Sequence, residues 1–336
     1  MFGIEENFGM HHCNLMLLFY KDKMKLLLLV HSDYYTDDLN QCKSFNTVIA
    51  WNLKNEFTKR GIDCHVVPSE CWMGIKKQLK STWDNFDKNF DKSLLNEYDN
   101  VLFVGAISLK HTHHTILDFF RKNVKGMFGA VNEGKREAPR DTLFFMMPEE
   151  ESHNQIHIGP LFNEEYLFPE KQYENLILHI DHHYPGRGDW SEDIKKLIID
   201  LEKNEFVKTH WNNYEVYYHT EKLNSIDDFD YYNPPSSIPF TELSKIYRQV
   251  HIGFVSHRET LGMYPIEMAA TGAMLATIPK IVKPAMLNYF NHVNYHEDFW
   301  NTILPLINPE QEQENVKKIS GCSYSIGADK ILPFLK

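Results

Sequence analysis

The sequence lacks any apolar run of about 20 residues, which is the length that a membrane-spanning helix requires. Its five cysteines are odd in number and include no Cys-x-x-Cys pair, so reduced thiols are expected. Four of the five lie in the first 71 residues, so a small disulfide cluster there is an alternative. The N-terminus also lacks a signal-peptide layout, because Glu5 and Glu6 occupy the region that is normally basic. These absences predict a cytoplasmic protein without a membrane span.

Positive charge is in short supply. The chain of 336 residues has 35 Lys and Arg against 46 Asp and Glu, a formal net charge of -11. The excess of negative charge gives no general attraction to nucleic acid or anionic lipid, although a local basic patch is compatible with it. GxSxG, HExxH and Walker A patterns are also missing. The length suits two domains of about 150 residues each in a globular enzyme.

Apolar runs alternate with amphipathic segments along the whole chain, as in doubly wound α/β proteins. Lys25–His31 predicts a strand that is buried on both faces, Phe45–Arg60 a helix that ends at Gly61, and Ile62–Val67 the next strand. Further strands are predicted at 100–105, 125–131, 142–147, 176–180, 214–219, 250–255 and 273–278. Amphipathic or helical segments are predicted at 81–96, 114–123, 191–203, 240–248, 264–270, 283–290 and 299–306.

This pattern predicts two Rossmann-like domains that face each other across a cleft, with ligands at the carboxyl ends of the strands. Residues 1–23 are expected to be a peripheral extension, 24–160 the first domain and 161–310 the second. Residues 311–336 are expected to form a C-terminal segment that packs back on the first domain. The segment 149–171, with its prolines, predicts the passage between the domains.

One strand–loop–helix segment carries most of the chemistry. A buried strand ends at Ser256, the loop holds Glu259 and Gly262, and a helix begins near Met263. A helix N-terminus presents free N–H groups and partial positive charge, and glycine lets an anion approach the backbone closely. Glu267 lies about one turn further along the helix, where its carboxylate can accept hydrogen bonds from ribose hydroxyls. The segment therefore favours a nucleoside diphosphate site.

With its surroundings the segment resembles the E-x7-E signature of retaining GT-B glycosyltransferases, family 4 in particular. Ser-x-x-Glu-x-x-Gly precedes the helix, and Glu-Met-Ala-Ala-Thr-Gly follows. Upstream, Ile238–Tyr247 is similar to the base-binding loop and the helix after it, and Ile158–Asn163 with Phe168-Pro169 resembles the passage between the domains. The competing interpretation is that Glu259 and Glu267 are solvated helix-end charges.

The resemblance implies transfer of a sugar from a nucleoside diphosphate sugar, such as a UDP-sugar, to an acceptor with retained configuration. In that interpretation Glu259 positions the donor sugar and stabilises its developing positive charge. No metal and no other cofactor is implied. The predicted donor-binding residues are Arg187, His182, Ile238, Gly262, Met263, Tyr264 and Glu267.

Two of these residues depart from the pattern of the family, whose members carry Arg-x4-Lys after the first strand of the second domain. Here His182 stands at the arginine position and Arg187 at the lysine position. Arg187 can supply positive charge to a phosphate. His182 leaves the donor preference open, and it can also be read with His183 as an ordinary loop residue.

The sequence of the first domain matches the family less well and does not identify the acceptor. The loop Ser32–Asp38 lacks the glycines that many family members have there, so the acceptor can be a glycan, a lipid, a protein or a modified base. Glu133 follows a predicted strand at a position where relatives place a group near the reacting sugar. His114 ends the run Lys110–His114, whose three histidines suggest a role near a sugar, a metal site or an ordinary loop. Glu133 and His114 join Glu259 as catalytic candidates.

Other functions stay open at this stage. A nucleotide-sugar epimerase or a noncatalytic binding protein can be built on the same architecture. A glycosyltransferase that acts on modified DNA bases is a third possibility, against which the negative net charge counts weakly. The acidic run Asp227–Asp230 is expected to be a solvated loop and not a metal motif. The sequence predicts no oligomeric state.

Overall fold

The computed structural model describes residues 23–30, 32, 35–42, 44–68, 93–105, 122–132, 143–146, 155–181, 188–230, 238–258, 263–278, 281–282, 284–296 and 298–336. These residues form two six-stranded sheets and the helices that flank them. None of the described helices is long and apolar enough to cross a membrane.

The first sheet is built around β1 (Lys25–Val30), whose last five residues are buried. The strand order is β2-β1-β3-β4-β5-β6, and all neighbouring pairs are parallel. The apolar sequence of β1 fits a parallel strand that is covered on both faces. The other strands are β2 (Asp63–Pro68), β3 (Asn100–Val104), β4 (Phe128–Asn132), β5 (Leu143–Met146) and β6 (Gln155–His157).

Helix α1 (Phe45–Lys59) connects β1 to β2 and confirms the predicted helix. It begins with a capping box, in which the backbone N–H of Thr47 donates to Ser44 Oγ and the backbone N–H of Ser44 donates to Thr47 Oγ1, both at 3.3 Å. It ends before Gly61, whose φ of 82° few other residues adopt. The short helix α2 (Ser93–Glu97) precedes β3.

The second sheet has the order β12-β11-β10-β7-β8-β9, and it is parallel except for the β8–β9 pair. β7, the first of these strands in the chain, lies between β8 and β10, so the order reverses between β7 and β10. Such a reversal opens a crevice at the carboxyl ends of the two strands. The strands are β7 (Asn175–Ile180), β8 (Asn213–Tyr218), β9 (Glu221–Lys222), β10 (Ile252–Phe254), β11 (Met274–Thr277) and β12 (His292–Asn294).

Helices alternate with these strands and continue to the C-terminus. They are α3 (Ser191–Leu201), α4 (Glu205–His210), α5 (Phe240–Tyr247), α6 (Met263–Ala270), α7 (Phe299–Ile303), α8 (Pro309–Ile319) and α9 (Tyr324–Ile331). The 3₁₀ turns are Leu39–Gln41, Ile226–Asp228, Pro284–Asn288, Leu304–Leu306 and Leu332–Phe334.

The last helix returns to elements of the first sheet. Arg60, which follows α1, donates through Nε to Asp329 Oδ1 at 2.7 Å and through Nη2 to the Ser325 carbonyl at 2.9 Å. At the chain's end, Asn100 Nδ2 donates to the carbonyl of Lys336 at 2.8 Å. The division at residues 23, 160 and 310 stays a prediction.

Three local predictions differ from the structure. The predicted passage 149–171 contains a strand, β6, at the edge of the first sheet. The helix predicted over 283–290 is a 3₁₀ turn, Pro284–Asn288, and β12 begins shortly after it, at His292. The helix predicted over 299–306 ends at Ile303 and continues as a 3₁₀ turn, which contains Pro305. Proline lacks the N–H that would continue an α-helix, which explains this change.

Candidate functional site

The crevice at the carboxyl ends of β7 and β10 is bounded by residues that directly follow these strands. We call it the switch-point crevice. The backbone N–H of Asp181, after β7, donates to the carbonyl of Phe254 at 3.0 Å. Ser256 Oγ, after β10, donates to the carbonyl of Asp181 at 3.1 Å. The backbone N–H of Trp190 donates to the carbonyl of Ser256 at 3.2 Å, which ties the start of α3 to the same point.

A carboxylate and an imidazole meet at the carboxyl ends of β7 and β10. His257 Nδ1 lies 3.3 Å from Asp181 Oδ2, and the two side chains are only 1% and 0% exposed. The separation is long for a direct hydrogen bond, so the two groups form an electrostatic pair. Neither residue was among the predicted site residues, and the structure brings them together because β7 and β10 are neighbours in the sheet.

Helix α6 packs directly on β10. A Cβ on Gly253 would lie 2.9 Å from Tyr264 Oη and 2.9 Å from Met268 Cγ, so glycine is needed for this close approach. Tyr264 Oη donates to the carbonyl of His179 at 3.0 Å and lies 3.0 Å from Nδ1 of the same residue. His179 Nε2 lies 2.7 Å from the carbonyl of His219, which fixes a hydrogen on Nε2 because a carbonyl only accepts.

Glu267 is the charged residue of α6, and its side chain is buried. Burial first, and then the charges of Glu267 and Asp181, hold the pKa of Tyr247 well above its ordinary value. Burial and then the charge of Asp181 do the same for Tyr264. Both phenols are therefore neutral at any physiological pH.

Positive charge is found near the start of α6. α6 begins at Met263, and its N-terminus carries the partial positive charge of a helix start. Arg258 is exposed directly after His257 and adds a full positive charge at the edge of the crevice. Sequence reasoning did not single out Arg258, although its place next to the E-x7-E segment was a visible signal.

The start of α5 contacts the first domain. The backbone N–H of Phe240 donates to the carbonyl of Cys42 at 3.3 Å, and Thr241 Oγ1 donates to Asn40 Oδ1 at 2.8 Å. Ile238, the predicted base-binding residue, is half-buried two residues before this contact. The first domain therefore helps to hold the segment in which the predicted base site lies.

Four of the ten predicted site residues are among those that the structure describes. Ile238 and Met263 are half-buried at the starts of α5 and α6, and Tyr264 and Glu267 are buried within α6. The charge of Glu267 acts on the phenol of Tyr247, and the ring of Tyr264 packs against the ring of the same residue. The others lie outside the described residues: Glu133, His114, His182, Arg187, Glu259 and Gly262.

Among the described residues, no group of three His, Cys, Asp or Glu side chains is placed to hold a metal ion. The acidic run that includes Asp227 and Asp228 forms a 3₁₀ turn, in which Asp228 Oδ2 accepts a hydrogen bond from the backbone N–H of Ser225. The carboxylate of Asp228 thus caps the turn.

No protein-family model and no curated protein matches the sequence. Solved structures do match. An α-glucosyltransferase in complex with UDP and a 13-mer DNA containing a HMU base has a TM-score of 0.52 at 10% identity, over 94% of this chain and 100% of that one. The kitacinnamycin glycosyltransferase has a TM-score of 0.50 at 9% identity, over 94% and 100%. A UDP-N-acetylglucosamine 2-epimerase has a TM-score of 0.48 at 12% identity, over 93% and 95%, too low to support an argument.

At these identities the likeness concerns the fold alone. Together with the two parallel sheets, it confirms the predicted architecture: the chain has the GT-B fold, with two Rossmann-like domains.

Proposed function

We propose that this protein transfers a sugar from a nucleoside diphosphate sugar to an acceptor, with retention of the anomeric configuration. The observation that carries the proposal is the placement of α6. Its N-terminus follows β10 at the point where the strand order reverses, and it carries the buried carboxylate of Glu267 in its second turn. An anion site with a nearby acid is what a diphosphate and a ribose require together.

The roles of the residues follow from this placement. In this proposal the leaving diphosphate binds at the N-terminus of α6, and Gly262, Met263 and Arg187 are the residues assigned to stabilise its developing negative charge. Glu267 accepts hydrogen bonds from the ribose, and backbone groups near Ile238 hold the base. In this proposal Glu259 stabilises the positive charge that develops on the donor sugar. The bond from the anomeric carbon to the diphosphate oxygen breaks, a bond from that carbon to the acceptor oxygen forms, and the proton of the acceptor hydroxyl passes to the departing diphosphate.

One specific observation favours a second candidate, a transferase that acts on a modified base in DNA. The neighbour with a TM-score of 0.52 holds UDP together with DNA that contains a HMU base. The net charge of -11 opposes binding of DNA by the chain as a whole, so this candidate requires a local basic surface. DNA with and without hydroxymethylated pyrimidines therefore belongs among the acceptors in the test.

The test begins with the donor. Purified protein is incubated with UDP-glucose, UDP-galactose, UDP-N-acetylglucosamine and GDP-mannose, and release of UDP or GDP is followed with and without acceptors. We expect release from one of these donors and its loss in Glu267→Gln and Arg187→Ala. Glu242→Gln is the matched control, since Glu242 is an exposed glutamate that pairs with Lys245 at 2.7 Å on α5.

Different outcomes decide between the alternatives. If calorimetry detects binding of neither UDP nor GDP, the enzyme proposal is wrong. Conversion of a donor into its epimer without an acceptor identifies an epimerase. Nucleotide binding without turnover of any donor points to a noncatalytic protein. Retention is checked by NMR of the product's anomeric proton, and an inverted product contradicts that part of the proposal.

A further inference from the structure

A cavity of about 270 Å³ lies apart from the switch-point crevice. It is bounded by residues 51–59 of α1, by residues 162–165 between β6 and β7, and by the start of α9. We call it the α1–α9 cavity. Because α1 leads back from the carboxyl end of β1 to the amino end of β2, this part of the helix lies toward the amino ends of the strands. The crevice, in contrast, lies at the carboxyl ends of β7 and β10.

Two buried amides form a pair in the wall of the α1–α9 cavity. Asn52 and Asn163 are 3% and 7% exposed, and Asn163 Nδ2 donates to Asn52 Oδ1 at 2.5 Å. Asn52 Nδ2 donates to the carbonyl of Val48 at 2.8 Å, and Asn163 Oδ1 accepts from the backbone N–H of Glu165 at 2.9 Å. An asparagine side chain can make about four hydrogen bonds, and the described residues supply two to each amide. Both amides therefore keep hydrogen-bonding capacity for a ligand.

An indole supplies apolar surface to the same cavity. Trp51 lines it and is half-buried. The Nε1–H of Trp51 donates to the carbonyl of Asp37 at 2.9 Å, so the only polar group of this side chain is already bonded. Trp51 therefore offers a ligand the carbon atoms of its ring. Aromatic surface combined with a few polar groups is typical of sites that bind small molecules.

The charges in the lining favour a neutral ligand. The carboxylates of Glu56, Glu164 and Glu165 line the cavity together with the ammonium of Lys59, so an anion would meet an excess of negative charge. Lys59 Nζ lies 2.8 Å from Glu56 Oε1 and 3.0 Å from Glu165 Oε1, and Arg60 Nη1 lies 2.6 Å from Glu56 Oε2. An organic cation would therefore compete with Lys59 and Arg60 for two of the three carboxylates.

We propose that the α1–α9 cavity is a second binding site, which takes a neutral saccharide. The C–H face of a sugar ring packs on an indole, and each hydroxyl can both donate to and accept from the amides of Asn52 and Asn163. Pockets for drug-sized ligands have volumes of about 300–1,000 Å³, so a cavity of about 270 Å³ suits a single sugar unit. The inference does not depend on the proposed function, because it names a ligand and no reaction.

The experiment is a ligand-observed NMR titration of the full chain with glucose, galactose, mannose and N-acetylglucosamine. Spermidine, as an organic cation, and inorganic phosphate, as an anion, are measured alongside. Thr58→Trp fills the cavity from an exposed position in the last turn of α1, and Asn55→Ala removes a half-buried amide that lines it. The matched controls are Thr209→Trp and Asn212→Ala, at exposed positions in α4 and directly before β8.

We expect at least one of the sugars to bind with a Kd of about 1 mM, as is usual for a ligand of this size. Thr58→Trp should weaken its binding more than about tenfold, because the new indole occupies the cavity. Asn55→Ala should weaken it about fivefold, which corresponds to one neutral hydrogen bond. Both controls should bind the sugar like wild type. The melting temperature and the Kd for UDP, measured on every variant, should stay close to wild type.

Three results overturn the inference. The first is the absence of binding by all of the sugars at about 20 mM, far above the expected Kd. The second is sugar binding that Thr58→Trp and Asn55→Ala both leave unchanged, which would place the sugar elsewhere. The third is binding of spermidine or phosphate, but of no sugar, that Thr58→Trp abolishes, which would assign the cavity to a charged ligand.

The proposed function is tested separately by the same measurements. If Thr58→Trp lowers the melting temperature, Asn55→Ala with its control decides the question alone. A wild-type protein that binds a sugar in the α1–α9 cavity but no nucleotide contradicts the proposed function and supports this inference. Nucleotide binding without sugar binding has the opposite meaning.

Discussion

Thr241 Oγ1 donates a hydrogen bond of 2.8 Å to Asn40 Oδ1, and this bond joins the start of α5 in the second domain to a 3₁₀ turn of the first. The amide of Asn40 is fixed in turn, since its Nδ2 donates to Asp38 Oδ1 at 2.9 Å. The segment that holds the predicted base site is therefore anchored across the domain boundary.

We predict that Thr241→Val and Asn40→Ala each weaken UDP binding about fivefold, because one neutral hydrogen bond contributes about 1 kcal/mol. Thr241→Ser keeps the hydroxyl and should bind UDP like wild type. Calorimetry on the single and double variants checks this. Additive effects of the two substitutions would show that the bond does not couple the two residues.

Gly253→Ala should destabilise the protein by about 1–3 kcal/mol, because the new Cβ would lie 2.9 Å from both Tyr264 Oη and Met268 Cγ. α6 would have to move away from β10, so UDP affinity should fall as well. Gly321→Ala is the matched control, since a Cβ there meets no atom within 4 Å. Urea unfolding measures both variants, and equal midpoints for the two would refute the packing argument.

We predict that His251 makes the stability of the folded protein sensitive to acid. Burial, and then the charge of Lys171, lower its pKa to about 3, and its Nδ1 accepts a hydrogen bond from the backbone N–H of Ile177 at 3.0 Å. Between pH 6.5 and pH 3 the unfolded chain binds this proton and the folded protein does not. The free energy of unfolding therefore falls as the pH falls, by on the order of 4 kcal/mol over that range.

His251→Asn keeps an acceptor for Ile177 and removes the titration. We expect its free energy of unfolding to depend less steeply on pH between 6.5 and 3 than that of wild type. Urea unfolding at several pH values measures the two slopes. Identical slopes would mean that His251 is protonated in the folded protein or exposed to water.

We expect Arg60 to contribute far more to the free energy of unfolding than Asp329, the acidic residue that it contacts. Its guanidinium donates to Glu56, Ser325 and Asp329, and its side chain is 18% exposed, whereas that of Asp329 is 61% exposed. Arg60→Ala should cost about 1–3 kcal/mol, because several charge-assisted bonds between α1 and α9 are lost. Asp329→Ala should cost less than about 1 kcal/mol, as exposed ion pairs do. Urea midpoints test the ranking, and a larger loss in Asp329→Ala would reverse it.

The sequence was most informative where a local pattern decides the structure. The apolar run of β1 predicted a strand covered on both faces, and the apolar positions of α1 with Gly61 predicted that helix and its end. The helix over 283–290 was predicted wrongly, because its apolar spacing also fits a short 3₁₀ turn that leads into β12. Short apolar segments carry this ambiguity, and neighbouring strands decide it.

The residues of the switch-point crevice were likewise predictable only in part. The sequence by itself determined that a strand and a helix with Glu267 follow one another, because these features are contiguous. Only the tertiary structure decided that Asp181 meets His257, since that contact depends on β7 lying next to β10 in the sheet. Strand order is set by crossover connections and packing, which the spacing of residues along a chain does not encode.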